Sequence, residues 1–301
     1  MDLNGILIID KPANWTSHDV VAKLRGALKQ KRIGHGGTLD PMATGVLPVF
    51  IDRATRAAEF CENAEKEYIA GLRLGIVTDT QDITGKILSE TEVNVTINDI
   101  LEVLPRFLGA QKQTPPMYSA IKQDGKKLYE LARKGIEVER PGRDILISEL
   151  ELVTGTEEPK SPFDIINNFT FRAVCSKGTY IRTLCHDIGA MLGCGGTLSS
   201  LRRIKAGAFT IDMAHTLDAV IAATLTDSVN DILLPVDSIF TGFPSISLSP
   251  DETRKAKNGA LRHVEEIPDG KYRIYSPDDE FLLFGETKNG KLNVIKNFFR
   301  I

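Results

Sequence analysis

The feature that most constrains the fold is the irregular order in which strand and helix patterns follow one another. The runs "GILIIDKP" and "EYIAGLRLG" are typical of strands, whereas "SHDVVAKLRGALKQ" has its apolar residues at helical spacing, with Ser17 as the expected N-cap. These runs do not form a regular strand–helix–strand repeat. The pattern therefore predicts an α+β fold rather than a doubly wound parallel sheet.

The same patterns predict the remaining elements. After a linker near residues 242–250 that contains Gly, Pro and Ser, the chain turns to short strand-like runs. Residues 246–301 are therefore expected to form a small β-rich module, and residues 1–240 the main domain. Further strands are expected at "GVLPVFI", "DILISELELV", "FTFRAVCSKG" and "LRRIKAGAFTI", and further helices at "ATRAAEFCENA", "INDILEVLPRFLG", "KKLYELARKG" and "TYIRTLCHDIGAMLG".

Composition argues against several classes of protein. No apolar run approaches the ~18 residues that a membrane-spanning helix needs, and the N-terminus lacks the basic start and cleavage site of a signal peptide. We therefore expect a cytoplasmic protein. The four cysteines form no CxxC pair and the five histidines show no metal-ligand spacing, which predicts reduced thiols and no metal site.

Charge is distributed unevenly along the chain, although its net value is only −3. Residues 1–56, 111–143 and 172–205 carry net charges of +3, +4 and +5, whereas 57–110 and 144–171 carry −6 and −5. A fold that brings the three basic segments together has one positive face, the electrostatic footprint of a nucleic-acid-binding protein. The alternative is surface charge that is evenly spread and solvated, without a positive face.

A loop rich in glycine, "RIGHGGTLDPMATGVLP", contains a single carboxylate, Asp40, directly before Pro41. A phosphate cradle is one interpretation, but the Gly-Lys-Ser/Thr of a P-loop is missing. A second is structural, with Asp40 in an Asx-turn or as an N-cap. A third is catalytic, because Pro41 restricts Asp40 to extended backbone and the glycines leave space in front of it. A carboxylate nucleophile also needs a nearby cation to stay ionised. Local chemistry alone leaves these alternatives open.

Four motifs together resemble one family. "GHGGTLDPMATGVLP" resembles the catalytic motif of the bacterial tRNA pseudouridine-55 synthases, the TruB family. Three further motifs resemble that family in the same order, and the four span about residues 5 to 208. One departure is Gly36, where the family usually has threonine. The three motifs are "KEYIAGLRLG" with "TDTQDITG", "PPMYSAIKQDGKKLYELARKG" and "CSKGTYIRTLCHDIGAMLG".

The resemblance implies a fold and a reaction. The fold is a mixed, mainly antiparallel sheet flanked by helices, in a catalytic domain at 1–240 with an RNA-binding arm at about 111–143. Residues 246–301 take the position of a PUA-like RNA-binding domain. The reaction isomerises uridine 55 of the tRNA T-loop to pseudouridine, by base flipping and attack of an aspartate. Because it needs no redox step or external energy, no cofactor is expected. The implied partner is the T-stem-loop, bound by a monomer without a membrane, protein or guide-RNA partner.

The resemblance also implies three catalytic residues. Asp40 falls on the aspartate that attacks the uridine, and Arg182 on the arginine that pairs with this acid. Tyr68 falls on the tyrosine that stacks against the target base and helps proton transfer. Considered without the other motifs, Arg182 fits an ordinary arginine on a helix surface, and Tyr68 fits an ordinary residue of a strand core.

A second implied set binds the RNA. His35 falls on the histidine that contacts RNA and supports the flipped arrangement, Tyr180 on a substrate-pocket aromatic and Lys11 on a basic position beside the pocket. Basic residues of the arm are expected to contact the T-stem backbone, although such a run is also typical of a solvated helix face. The expected backbone contacts are Lys122, Lys126, Lys127, Arg133 and Lys134, with Arg202, Arg203 and Lys205 as further phosphate contacts.

Two alternatives of other classes remain. One is a tRNA-binding or tRNA-folding module without catalysis, which need not keep Asp40 together with Arg182. The other is a guide-RNA-dependent synthase of the archaeal and eukaryotic type. The long arm and the short C-terminal module resemble the standalone bacterial type more closely.

Overall fold

A computed structural model describes residues 3–153, 167–261 and 267–300. The fold is α+β, as predicted, and its large sheet is mainly antiparallel. The chain divides into two compact units. The first unit comprises Met1–Pro41, Gly45–Asn63 and Ala206–Ile301, and the second comprises Met42–Thr44 and Ala64–Lys205.

The predicted segments have counterparts among the described residues, and the structure adds elements that were not predicted, including two helices at Leu217–Leu225 and Pro250–Lys257. The α-helices are α1 (Ser17–Leu28), α2 (Ala58–Asn63), α3 (Ile97–Val103), α4 (Leu128–Ala132), α5 (Ile181–Met191), α6 (Leu217–Leu225) and α7 (Pro250–Lys257). The strands are β1 (Gly5–Lys11), β2 (Ile33–His35), β3 (Thr44–Ile51), β4 (Lys66–Leu74), β5 (Ile76–Thr78), β6 (Ile87–Glu90), β7 (Gly109–Gln113), β8 (Lys122–Gln123), β9 (Lys126–Lys127), β10 (Arg143–Val153), β11 (Asn168–Cys175), β12 (Gly196–Ala206), β13 (Phe209–Thr210), β14 (His215–Thr216), β15 (Ser245–Ser247), β16 (Gly270–Tyr275), β17 (Phe281–Lys288) and β18 (Lys291–Asn297). Short 3₁₀ segments cover Asp52–Ala57, Leu104–Phe107, Ile211–Met213, Val229–Asp231 and Val236–Phe240.

In the first unit, β1 pairs antiparallel with β3 along its whole length and parallel with β14 at its end. β2 also pairs antiparallel with β3. β1 and β3 are buried along most of their length, which explains why both appear in the sequence as continuous apolar runs.

Helix α1 begins one residue away from the expected cap. Ser17 was predicted as the N-cap, and this is wrong because Thr16 takes that position. The Thr16 hydroxyl accepts from the Asp19 N–H at 3.1 Å, and the Asp19 carboxylate accepts from the Thr16 N–H at 2.9 Å. This reciprocal capping box satisfies two backbone donors, so it fixes the start of the helix.

The C-terminal residues form a β-rich region, as predicted. Strands β15, β16, β17 and β18 lie in this order in a four-stranded sheet. Its Phe284 stacks on Phe240 at 4.3 Å between ring centroids, and Phe60 packs edge-on against Phe240 at 5.0 Å. These rings join the core that β1 and β3 form in the first unit. The domain boundary between residues 240 and 246 stays a prediction.

In the second unit, the strands follow the order β12, β4, β11, β10 and β7. The helix predicted at "INDILEVLPRFLG" changes to 3₁₀ geometry after Val103, next to Pro105, which lacks a backbone donor. The arm contains a short β8–β9 hairpin that sequence reasoning missed, turned by Asp124 and Gly125 at positive φ. The predicted helix after it is the single short α4, and Gly135 follows at φ +69°.

Candidate functional site

The backbone on both sides of Asp40 is held by hydrogen bonds within the first unit. The Leu39 N–H donates to the Ser17 hydroxyl at 2.9 Å, and this hydroxyl donates to the Leu39 carbonyl at 3.2 Å. On the other side, the Pro41 carbonyl accepts from the Asn14 N–H at 2.8 Å. Asp40 itself is half-buried. A carboxylate between two anchored neighbours has a fixed position and remains accessible.

Lys11 provides the second anchor on Pro41. Its side chain is fully buried, and its ammonium group donates to the carbonyls of Pro12 at 2.9 Å, Trp15 at 2.6 Å and Pro41 at 3.2 Å. Three carbonyls match the three N–H donors of an ammonium group. Lys11 therefore ties the turn after β1 to the residue that follows Asp40. Its expected role in RNA binding stays a prediction.

His35 and Gly36 lie at the start of the glycine-rich loop. His35 ends β2, is half-buried and packs its ring against that of His18 at 5.4 Å. Gly36 is buried, and a Cβ at this position lies only 2.7 Å from a ring carbon of Phe50 and 2.8 Å from the Cβ of Cys61. These two side chains occupy the space of a side chain at position 36. The structure thus explains glycine at a position where threonine was expected from the resemblance.

We expect Gly36→Ala to lower the free energy of unfolding by about 1–3 kcal/mol, because the added methyl overpacks the contact with Phe50 and Cys61. Gly34→Ala is the matched control two residues earlier, in β2, since a Cβ at position 34 meets only a Thr55 methyl at 3.9 Å. Urea denaturation of both variants measures the difference. Equal stability of the two variants contradicts the packing argument.

Arg182 is not a helix-surface arginine. It lies in the first turn of α5 and is only 4% exposed. Its Nη1 donates to the Thr80 carbonyl at 2.9 Å and its Nη2 to the Tyr118 carbonyl at 2.8 Å. Nη1 also lies 3.9 Å from a carboxylate oxygen of Asp82. The guanidinium group is therefore held in place by backbone and by a buried acid.

Asp82, which lies beside Arg182, was not singled out by sequence reasoning. It is 5% exposed and accepts from the hydroxyl of Thr80 at 2.9 Å and from the N–H of Thr84 at 2.9 Å. The available signal was an acid between threonines in the polar loop "TDTQDITG", which is typical of an Asx-turn. The local pattern indicates the turn, but the proximity to Arg182 is a tertiary contact.

The two tyrosines lie on different elements of the second unit. Tyr68 is on β4, opposite Ala173 of β11, and is 9% exposed. Tyr180 is the half-buried N-cap residue of α5, and its backbone is bonded to the side chain of Gln113. The first turn of α5 thus carries both Tyr180 and Arg182.

The basic residues of the arm differ in exposure. Lys122 and Lys126 are exposed on the β8–β9 hairpin, whereas Lys127 is half-buried. The Lys127 ammonium and the Arg133 guanidinium lie over the Tyr129 ring, 5.4 and 5.3 Å from its centroid, which is within the range of a cation–π interaction. A ring with two cations close to it suits RNA, which presents both phosphates and base faces.

The residues of β12 that are expected to contact phosphates also differ in exposure. Arg202 is half-buried, with Nη1 3.3 Å from the Thr44 hydroxyl, and Lys205 is exposed. Arg203 is only 1% exposed, a position that does not favour a phosphate contact. Arg202 and Lys205 therefore remain the more suitable pair.

Each expected site residue belongs to one of the two units. Lys11, His35 and Asp40 are in the first, and Tyr68, Tyr180, Arg182, Arg202 and the arm lysines are in the second. Among the described residues, no three His, Cys, Asp or Glu side chains are arranged to hold a metal ion. Over the same part of the chain, no helix has the length and apolar character to cross a membrane.

Comparison with known proteins gives matches over nearly the whole chain. A family model described as TruB family pseudouridylate synthase (N terminal domain) matches residues 25–181, and one described as tRNA pseudouridylate synthase B C-terminal domain matches residues 182–241. A tRNA pseudouridine synthase B of Alkaliphilus oremlandii is 49% identical over 296 residues, covering 95% of this chain and 94% of the relative. One of Syntrophomonas wolfei subsp. wolfei is 44% identical over 289 residues, with the same coverage of 95% and 94%.

Solved structures show the same fold. A chain of a Cbf5-Nop10-Gar1 complex matches with a TM-score of 0.73 and 26% identity, covering 98% of this chain and 85% of that one. A chain of the archaeal box H/ACA sRNP Nop10-Cbf5 complex matches with a TM-score of 0.69 and 24% identity, covering 99% and 87%. The latter similarity concerns the fold alone.

Proposed function

The chain belongs to the TruB family of pseudouridylate synthases and is a tRNA pseudouridine synthase, an isomerase; from this premise we propose that it modifies uridine 55 of the T-loop and that Asp40 attacks this uridine. The glycosidic N–C bond of the uridine breaks, the base turns, and a C–C bond forms from C5 to the same sugar. C5 then loses its proton, N1 carries one in the product, and the Asp40 carboxylate is released. Position 55 and the aspartate mechanism both rest on the match between "GHGGTLDPMATGVLP" and the family motif.

The observation that carries the role of Asp40 is the anchoring of its two neighbours. Ser17 holds Leu39, while Asn14 and Lys11 hold the carbonyl of Pro41. An attacking group gains rate when its position is set before the reaction, because no entropy is then lost in aligning it. An Asx-turn or N-cap aspartate does not need this anchoring on both sides.

The remaining catalytic roles are those that the family resemblance implies. Arg182 is proposed as the cation that favours the ionised form of the catalytic acid. The target base is stacked within the folded arm, and its extrusion costs a few kcal/mol. Tyr68 and Tyr180 are proposed to stack on the extruded base and His35 to support the flipped arrangement, which offsets part of this cost.

RNA binding is proposed for the arm and for the C-terminal module. The exposed Lys122 and Lys126, with Lys127 and Arg202, are proposed to contact the T-stem backbone, so binding weakens as salt concentration rises. Residues 246–301 are proposed as the PUA-like RNA-binding domain. The protein is proposed to act as a monomer in the cytoplasm, without a guide RNA or a protein partner.

The test is tritium release from a tRNA transcript labelled at C5 of its uridines. Pseudouridine formation replaces the C5 hydrogen by a bond to the sugar, so the label passes to water. The purified protein alone is expected to release one tritium per transcript, and none from a transcript with cytidine at position 55. Undiminished release from the cytidine transcript contradicts the assigned position. Binding without release, until guide RNA and partner proteins are added, supports the guide-dependent alternative instead.

A further inference from the structure

A buried glutamine bonds to the backbone beside the proposed catalytic arginine. Gln113 ends β7 and is 5% exposed. Its Oε1 accepts from the Tyr180 N–H at 2.8 Å, and its Nε2 donates to the Tyr180 carbonyl at 3.1 Å. The side-chain amide of Gln113 thus pairs with both the N–H and the C=O of Tyr180. The backbone of a neighbouring strand pairs in the same way in a sheet.

These two bonds act at the start of α5. Tyr180 is the N-cap residue, and its own side chain makes no capping hydrogen bond to the helix. Its carbonyl also accepts the first helical bond, from the Leu184 N–H at 3.0 Å. The first N–H groups of a helix lack intrahelical partners, so an external partner can set where the helix begins. Gln113 supplies that partner from another element.

The first turn of α5 carries the groups that the proposed reaction uses. Arg182 follows Tyr180 by two residues and donates to the carbonyls of Thr80 and Tyr118. Thr183 adds a side-chain bond to Gln81 at 2.8 Å. The guanidinium group is therefore positioned by its own bonds and by the placement of the turn that carries it. The amide of Gln113 holds this turn at its first residue.

We propose that Gln113 is a positioning residue, which places Tyr180 and, through the first turn of α5, Arg182. The inference rests on the proposed function, since it takes the roles of these two residues from there. Gln113 acts through backbone and needs no contact with the RNA. A buried amide has to be hydrogen-bonded in any fold; the specific content of the proposal is that its bonds to Tyr180 set the position of the first turn of α5.

The test compares Gln113→Met with Gln111→Met. Methionine keeps nearly the same volume and removes the amide in both cases. Gln111 lies on the same strand and also donates to a backbone carbonyl, but that carbonyl belongs to Phe107, which lies outside α5. Single-turnover tritium release measures the chemical step, and filter binding measures the Kd for tRNA. Thermal melting checks that each variant is folded.

Gln113→Met is expected to lower the single-turnover rate by about 10–100-fold, as a small misplacement of catalytic groups does, with the tRNA Kd changed by less than about threefold. Gln111→Met is expected to stay within about threefold of wild type in both measurements. Gln113→Asn keeps the amide but is one methylene too short for the pair. It is expected to lose rate in the same way, and it replaces Gln113→Met if that variant does not fold.

Three results overturn the proposal: a wild-type rate in the folded Gln113 variant, an equal loss of rate in Gln111→Met, or a loss confined to tRNA affinity. Arg182→Lys in the same assay separates this inference from the proposed function. If Arg182→Lys is inactive while Gln113→Met is fully active, only the positioning inference fails. If Arg182→Lys is fully active, the proposed role of Arg182 fails.

Discussion

Asp40→Asn is expected to lower the single-turnover rate of pseudouridine formation by about 10⁴-fold, the order of loss when a central catalytic group is removed from other enzymes. Asparagine has the shape of aspartate but no carboxylate nucleophile. The bonds that hold Leu39 and Pro41 involve backbone groups and the side chains of Ser17 and Lys11, so they remain in the variant. The Kd for tRNA is therefore expected to stay close to the wild-type value.

Tritium release and filter binding on the same preparation measure these two quantities. Asp52→Asn is the matched control, because it makes the same substitution in the same unit, directly after β3, at a position with positive φ that asparagine accepts. Asp40→Ala checks that residual turnover does not come from deamidated asparagine. Retention of more than about a tenth of the wild-type rate in Asp40→Ala shows that Asp40 is not the nucleophile.

Arg182→Lys is expected to lower the single-turnover rate by about 10²–10³-fold, since it removes a preorganised charged donor from the site. Lysine keeps the positive charge, but its single ammonium group cannot reproduce the planar fork that reaches both Thr80 and Tyr118. A buried carbonyl then loses its donor, so the free energy of unfolding is also expected to fall by about 1–3 kcal/mol.

The exposed Arg73 on β4 offers the control, because Arg73→Lys makes the same change in the same unit at the surface. Its rate and stability are expected to stay near wild type. Combining Asp40→Asn with Arg182→Lys adds a further check. If the two residues act as a unit, the double variant is no slower than Asp40→Asn alone, whereas multiplied losses indicate independent roles.

The sequence alone determined several of the longer elements and the family of this protein. Apolar periodicity is local, so it located β1, β3, β4 and α5 to within a few residues. The four ordered motifs indicated the TruB family, which the comparisons confirm. They also named Asp40 and Arg182 as catalytic, and these two roles stay predictions.

Only the tertiary structure decided what the surrounding side chains do. Ser17 suited an N-cap by type, yet its hydroxyl bonds to Leu39, which is 22 positions away. Arg182 suited a helix surface, yet its guanidinium group is buried against carbonyls that lie 64 and 102 positions away in the chain. No sequence pattern indicated the bond between Gln113 and Tyr180. The glycine at position 36 is explained only by Phe50 and Cys61, which fill the space that a side chain would need there. Each of these facts depends on contacts between residues distant in sequence, which a local pattern does not encode.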